Sequence, residues 1–234
     1  MTKPAIRAAI NTGNRALVQE NAQGEPVGVS PALAVAWADA QGADLKQVIY
    51  RGARKVFEDA GSSAWDIAFL AIDPARADRV AFSAPYVQIE ASYAVRASSP
   101  IRAVQEADVA GLEILVGRGS AYDLYLTGVL QNARISRSDT PGDSFDAFKA
   151  GKGDLVAGVR QSLERIFGSD PAYRILPGRF GTIDQAMALP RPDHPLLPEL
   201  NSFVAKAIGS GLVARALEES GQGHLRIPGW SGNG

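Results

Sequence analysis

The chain has 234 residues, enough at about 150 per domain for one large domain or two small lobes. Apolar residues make up 46% and charged residues 21%, which suits a chain that buries a core and excludes a disordered one. With 24 Lys and Arg against 25 Asp and Glu it lacks the basic excess of a nucleic-acid binder, and the absence of cysteine excludes disulfides, thiolate zinc sites, iron–sulfur clusters and cysteine nucleophiles.

In chain order, Ile6–Ile10 reads as a strand and Asn11 through Gly28 as a polar loop. Ser30 as N-cap and Pro31 in the first turn predict an amphipathic helix over Ala32–Gln41, with Leu33, Ala36, Trp37 and Ala40 on one face. Val48–Tyr50 is the next expected strand and Arg54–Ala60 a short helix closed by Gly61. Asp66–Ile72 is an apolar run of buried-strand length, stopped by Asp73-Pro74. A long strand pattern covers Ile89 to Arg96. The second half repeats the alternation, with expected strands at Glu113–Val116, Ile135–Arg137, Leu155–Val159, Ile175–Leu176 and Gly181–Leu189. Helices are expected at Ser120–Gln131, at Ser144–Ala150, after Val159 to Phe167, and at the end over Pro198–Gly209 and Leu212–Ser220. Such alternation predicts an α/β protein with a parallel-type sheet. Two series of similar size predict two lobes, residues 1–94 with 187–234 and residues 95–186. The second lobe is inserted in the first, with Ala91–Arg96 and Ile183–Leu189 as two crossing strands. No run approaches the 18 or so apolar residues of a membrane span. Ala8–Ile10 is too short for a signal-peptide core, so a periplasmic location would require a leader omitted ahead of Met1, and a cytoplasmic one stays open.

Two short segments carry chemistry. Gly117-Arg118-Gly119-Ser120 joins a strand to a helix, where glycines allow close backbone approach and free N–H groups attract an anion. The same residues would also serve a plain turn capped by Ser120. Asp73-Pro74-Ala75-Arg76 follows a buried strand, at the carboxyl end where open α/β sheets bind ligands. A guanidinium there offers a planar fork for a carboxylate, or else pairs with Asp73 or Asp78 on the surface. His194 and His224, both expected to be exposed, are too few for a Ser-His-Asp triad or a multi-histidine metal site.

The string WDIAFLAIDPARADRVAFSAPY (Trp65–Tyr86) resembles the family 3 extracellular solute-binding proteins, the amino-acid-type receptors of ABC importers. That family shows an Asp near the start of a strand, then an Arg, then Phe-Ser-x-Pro-Tyr; here these are Asp66, Arg76 and Phe82 to Tyr86. Gln23–Gly42, Gly111–Tyr122 and Val204–Leu217 resemble further segments of the family, so the likeness spans nearly the whole chain. It implies the periplasmic-binding-protein type II fold, two lobes hinged by two crossing strands, with a ligand in the cleft between them.

Carried over residue by residue, the resemblance makes Arg76 the holder of a ligand carboxylate, helped by Ser120 and the N–H groups of the Ser120-Ala121 loop. Asn11 and Asn14 fall where the family contacts the ligand's side chain, or else stabilise the backbone of their own turn, and Tyr122 could stack on or hydrogen-bond the ligand or pack in the core. The chain departs from the family at three places. Strand positions that often carry Ser or Thr are Phe69 and Ala71, and the second loop hydroxyl is replaced by Ala121. The strand expected to end in the ammonium-binding Asp ends in Val159 and Arg160. Arg76 and Arg160 together would suit a ligand rich in negative charge, unless Arg160 is a solvated charge at a helix start. Glu90 is the acid placed nearest the cleft, as a ligand group or in a salt bridge with Arg96 or Arg118. The resemblance therefore implies a non-enzymatic binding protein, without metal or redox cofactor, for a small carboxylate-bearing solute. Its expected partner is the membrane permease of an ABC importer, with no nucleic acid and as a monomer. The alternatives are a small-carboxylate dehydratase with Glu90 as acid or base, and a stand-alone ligand sensor.

Overall fold

A computed structural model describes residues 3–229; residues 1–2 and 230–234, the outer ends of the expected first lobe, lie outside the described residues. In chain order the first elements are β1 (Ala5–Asn11), β2 (Gln19–Glu20), β3 (Pro26–Val27), α1 (Val29–Ala40), β4 (Asp44–Tyr50), α2 (Ala53–Glu58), β5 (Ile67–Ala71) and β6 (Ala81–Arg96). There follow β7 (Glu113–Gly117), α3 (Ala121–Val129), β8 (Arg134–Ser138), α4 (Pro141–Lys149), β9 (Leu155–Val159) and α5 (Arg160–Phe167). The last are β10 (Tyr173–Ile175), β11 (Gly181–Leu189), α6 (Leu197–Gly209) and α7 (Leu212–Glu219). Two compact units result: unit 1 holds residues 3–12, 17–88 and 184–229, and unit 2 holds residues 13–16 and 89–183. The chain passes between them along β6 and β11. Because both strands are continuous, a boundary can be drawn at several points along each. The sequence reading draws it at 94/95 and 186/187.

In unit 1, β1 lies between β4 and β5 and runs parallel to both, with Ala8 opposite Gln47 on one side and Ile67 on the other. β11 then pairs antiparallel to β5, setting Gln185 opposite Ala71 and Met187 opposite Phe69. In unit 2, β7 runs parallel to β8 and β9, while β9 and β10 pair antiparallel to β6. The sheets are therefore mixed, where strand-helix alternation alone predicts parallel ones. The exceptions involve β6 and β11, the strands that carry the chain out of one unit and back. Trp65, Tyr50, Val56, Leu70 and Val80 pack one core in unit 1, and Phe145, Phe148, Leu163 and Phe167 pack that of unit 2. Burying such side chains contributes about 1.5–3 kcal/mol each.

Helix α1 corrects the capping expected at Ser30. The cap is Gly28, at φ 115°, and its missing Cβ would lie 2.7 Å from the Leu17 carbonyl oxygen, so the chain there needs glycine. Ser30 sits two residues past the cap, in the first turn, buried, with its hydroxyl 3.0 Å from that of Tyr86. The loop expected over Asn11–Gly28 holds the small β2–β3 hairpin. Helix α4 begins at Pro141, not Ser144, because Thr140 and Asp143 form a reciprocal capping box.

Candidate functional site

On unit 1 the candidate groups gather at the carboxyl end of β5. All five of its residues are buried, and Asp73-Pro74 then ends the strand. The Asp73 Oδ1 accepts from the Ala75 amide at 2.8 Å, and Pro74 opens a single 3₁₀ turn that carries Arg76. This turn brings the Arg76 side chain back onto the strand, where Nη1 donates to the Ala71 carbonyl oxygen at 3.2 Å. Arg76 is only 2% exposed, so it is not the surface side chain that pairing with Asp73 or Asp78 would make it. Burial pulls its pKa below the ordinary arginine value, with Asp73 opposing. A guanidinium keeps its charge in proteins, and a buried one favours a carboxylate neighbour. Phe69 and Ala71 share one face of β5, each 4% exposed, and Phe69 meets Tyr86 edge to face at 6.2 Å. That face presents no hydroxyl. Asn11 ends β1, half-buried, in register with Tyr50.

On unit 2 the Gly117–Ser120 loop leads from β7 into α3. A Cβ on Gly117 would lie 2.6 Å from the Pro141 nitrogen, so close backbone approach dictates glycine there. Ser120 is the N-cap as expected, its hydroxyl accepting from the Asp123 amide at 3.2 Å. The Asp123 carboxylate in turn accepts from the Gly119 amide at 2.8 Å and from Arg137 Nε at 2.9 Å. The Ser120 amide donates to the Gly117 carbonyl, while those of Ala121 and Tyr122 have no acceptor among the described residues. Two helix-end amides thus stay available to an anion. Tyr122 is buried, and desolvation pushes its hydroxyl pKa up to about 12.

Farther along unit 2, Glu90 is clasped by two guanidinium groups, Arg179 Nη1 at 2.8 Å and Arg160 Nε at 3.4 Å. The partners weighed from sequence were Arg96 and Arg118. Instead Arg96 donates to the Gly153 and Lys152 carbonyls, and Arg118 is not in contact with Glu90 among the ion pairs of the described residues. Arg160 is not a solvated helix-start charge either: it also donates to the Leu176 and Gly178 carbonyls. Arg179 escaped the sequence reading because it lies 89 residues from Glu90, with no local signal. Asn14 belongs to unit 2, and its buried Oδ1 has no partner among the described residues. His194 is half-buried rather than exposed, and His224 is exposed. A groove of about 320 Å³ on unit 1, walled by Val27, Val35 and Ala216, holds none of these side chains.

Fold and side chains together define a two-unit α/β protein of inserted topology, with a buried guanidinium on one unit and a capped helix N-terminus on the other. The chain belongs to the bacterial extracellular solute-binding proteins, family 3, whose model matches residues 6–220. Its fold is that of the type II periplasmic binding proteins. The cysteine-binding protein from Campylobacter jejuni superposes with a TM-score of 0.81 at 21% identity, covering 95% of this chain and 91% of that one. A mutant of ArgBP from T. maritima gives 0.79 at 21% identity, over 92% and 94%. The ancestral amino acid-binding protein AncCDT-1, a precursor of cyclohexadienyl dehydratase, gives 0.76 at 18%, over 92% and 94%. No sequence relative was found among curated proteins. No helix among the described residues is long and apolar enough to cross a membrane.

Proposed function

We propose that this protein is the solute receptor of an ABC importer and that it takes a small carboxylate-bearing solute between its two units. Arg76 carries the reading. A guanidinium 2% exposed at the end of a sheet strand is a costly group to bury, and a ligand carboxylate is the partner its planar fork fits. Ser120 with the Ala121 and Tyr122 amides supplies a second set of donors from the other unit. Asn11, Asn14 and Tyr122 line the remainder of the site. A solute held from both sides favours a closed arrangement about β6 and β11, and the permease recognises that state. Membership in an extracellular family supports an exported, periplasmic protein.

The dehydratase reading needs a carboxylic acid free to exchange a proton with the solute. Glu90, its candidate, is bridged by Arg160 and Arg179, which favours binding without chemistry.

A thermal-shift screen against monocarboxylates, dicarboxylates, keto acids, ureido acids and amino acids tests the proposal. A carboxylate at 100 times its Kd should raise stability by about 2.7 kcal/mol. Arg76→Ala should abolish that shift. Carboxylate binding undiminished in this variant would remove Arg76 from the site, and a bound compound recovered chemically altered would bring the enzymatic reading forward.

A further inference from the structure

Strand β4 is the outer strand of the unit 1 sheet: it pairs with β1 on one side, and no strand of the described residues pairs with it on the other. Which of its backbone groups face outward follows from the bonds it makes. The Asp44 amide donates to the Pro4 carbonyl at 2.8 Å, and the Tyr50 carbonyl accepts from the Thr12 amide at 2.8 Å. In this parallel register Asp44, Lys46, Val48 and Tyr50 therefore turn their backbone groups toward β1. Leu45, Gln47 and Ile49 turn theirs away, along an open edge. The side chains of these three share one face, the face that α1 covers, since Gln47 lines a groove with Pro31, Ala32 and Val35. The rim of that face is apolar and exposed: Ile49 is 52% exposed, Val35 47% and Val27 38%. Exposed edges are commonly protected by shortness, a bulge, a proline or inward charge. β4 has seven residues, runs in unbroken register with β1, and carries no charge on the α1 face.

An antiparallel strand of the same length fits such an edge, and β4 itself has the matching pattern. Two copies related by a two-fold axis at Gln47 place Leu45 of each opposite Ile49 of the other, and Gln47 opposite Gln47. All three are outward-facing residues, so each opposed pair exchanges both of its backbone hydrogen bonds. The same register joins apolar side chains on the α1 face, sets Lys46 against Val48 on the other face, and opposes no like charges. It also brings the exposed Asp44 at the start of one strand beside the exposed Arg51 just past the end of the other, twice by symmetry. We propose that β4 is a self-association edge, through which two copies of this chain pair into one continuous sheet. A second copy is the occupant because a single register satisfies the backbone, the apolar rim and the terminal charges together. The dimer replaces the monomer that the family resemblance implies, and it is independent of the solute.

Sedimentation velocity of the full chain without solute tests this over about 1–100 μM protein, the range suited to a small reversible interface. The mass should rise with concentration from 24.7 kDa toward twice that value. Gln47→Pro removes an outward amide and no bond to β1, so it should fold, as circular dichroism will show, and stay monomeric. Ile49→Lys, at an exposed position, sets an ammonium opposite Leu45 and should weaken association about tenfold or more. It decides the matter should Gln47→Pro fail to fold. Adding Leu45→Glu to Ile49→Lys places opposite charges across each pair and should restore the dimer. A wild type that stays at 24.7 kDa throughout overturns the inference and leaves the edge to a partner of another kind. A dimer that survives in folded Gln47→Pro or in Ile49→Lys also overturns it, since another face would then hold the copies together. Failure of the double variant to regain the dimer overturns the register on which the inference stands.

Discussion

Asp66 and Arg7 show how a single ion pair can be read in this protein. Asp66 accepts from the Arg7 amide at 2.8 Å, from Nε at 2.9 Å and from Nη2 at 2.6 Å. Burial raises the pKa of the carboxyl, but the Arg7 hydrogen bonds and charge outweigh it and the net direction is down. A folded-state pKa below the unfolded value near 3.8 gives stability that is complete above that pH and disappears as pH falls through the folded value. Asp66→Ala should therefore be less stable than wild type at neutral pH, and the gap should close in urea titrations below about pH 3.8. A gap independent of pH would mean that packing, not charge, is lost. Residues of this kind are legible in sequence only when the signal is local. Asp73-Pro74 and Gly119-Ser120 announce a turn and a cap, so the positions of Arg76 and Ser120 follow from their neighbours. The partners of Glu90 lie at Arg160 and Arg179, 70 and 89 residues away. Strand pairing brings these groups together, and no spacing in the sequence encodes it.

At the scale of elements, α3 and the loop before it join site and scaffold. Gly117 and Gly128 flank the Ser120 cap, and their surroundings differ. A Cβ on Gly117 would meet three Pro141 atoms at 2.6–2.9 Å, whereas nothing lies within 4 Å of one on Gly128. Gly128→Ala should stabilise the protein by about 0.5–1 kcal/mol, through reduced freedom of the unfolded chain and better helix propensity. Gly117→Ala should destabilise it by about 1–3 kcal/mol, since backbone of α4 must shift. It should also weaken carboxylate binding, because the same loop sets the Ser120 hydroxyl and the Ala121 and Tyr122 amides of the proposed site. Chemical denaturation of both variants distinguishes the two effects, and equal stabilities would contradict the close approach of the loop to Pro141. Elements were legible where burial is one-sided or complete, as for β5 and β9. The start of α1 was not, because Gly28 caps it only by virtue of its contact with Leu17. The mixed sheet was not either, since strand direction at β6 and β11 depends on where the chain leaves unit 1.

For the whole molecule, the insertion of unit 2 through β6 and β11 means that one solute can engage groups from both units only if these strands allow it. Two chemical consequences follow for the ligand. Burying an ammonium without a carboxylate costs several kcal/mol, and β9 ends in Val159 where the family resemblance expects an acid. Glu90 cannot readily substitute, because drawing it to an ammonium would strip Arg160 and Arg179 of their anion. A carboxylate solute bearing a neutral polar group should therefore bind at least tenfold more tightly than the α-amino acid of the same skeleton. The comparison of 2-hydroxy, 2-oxo and 2-amino acids of one carbon chain in calorimetry checks this directly. The tighter binder should also lower the radius of gyration in X-ray scattering, as closure about two strands requires, while the 2-amino acid at equal concentration leaves it unchanged. Micromolar affinity for the amino acid would show that Glu90 leaves its arginines on binding. In that case substitution of Arg179 should strengthen amino-acid binding, because it releases the carboxylate in advance.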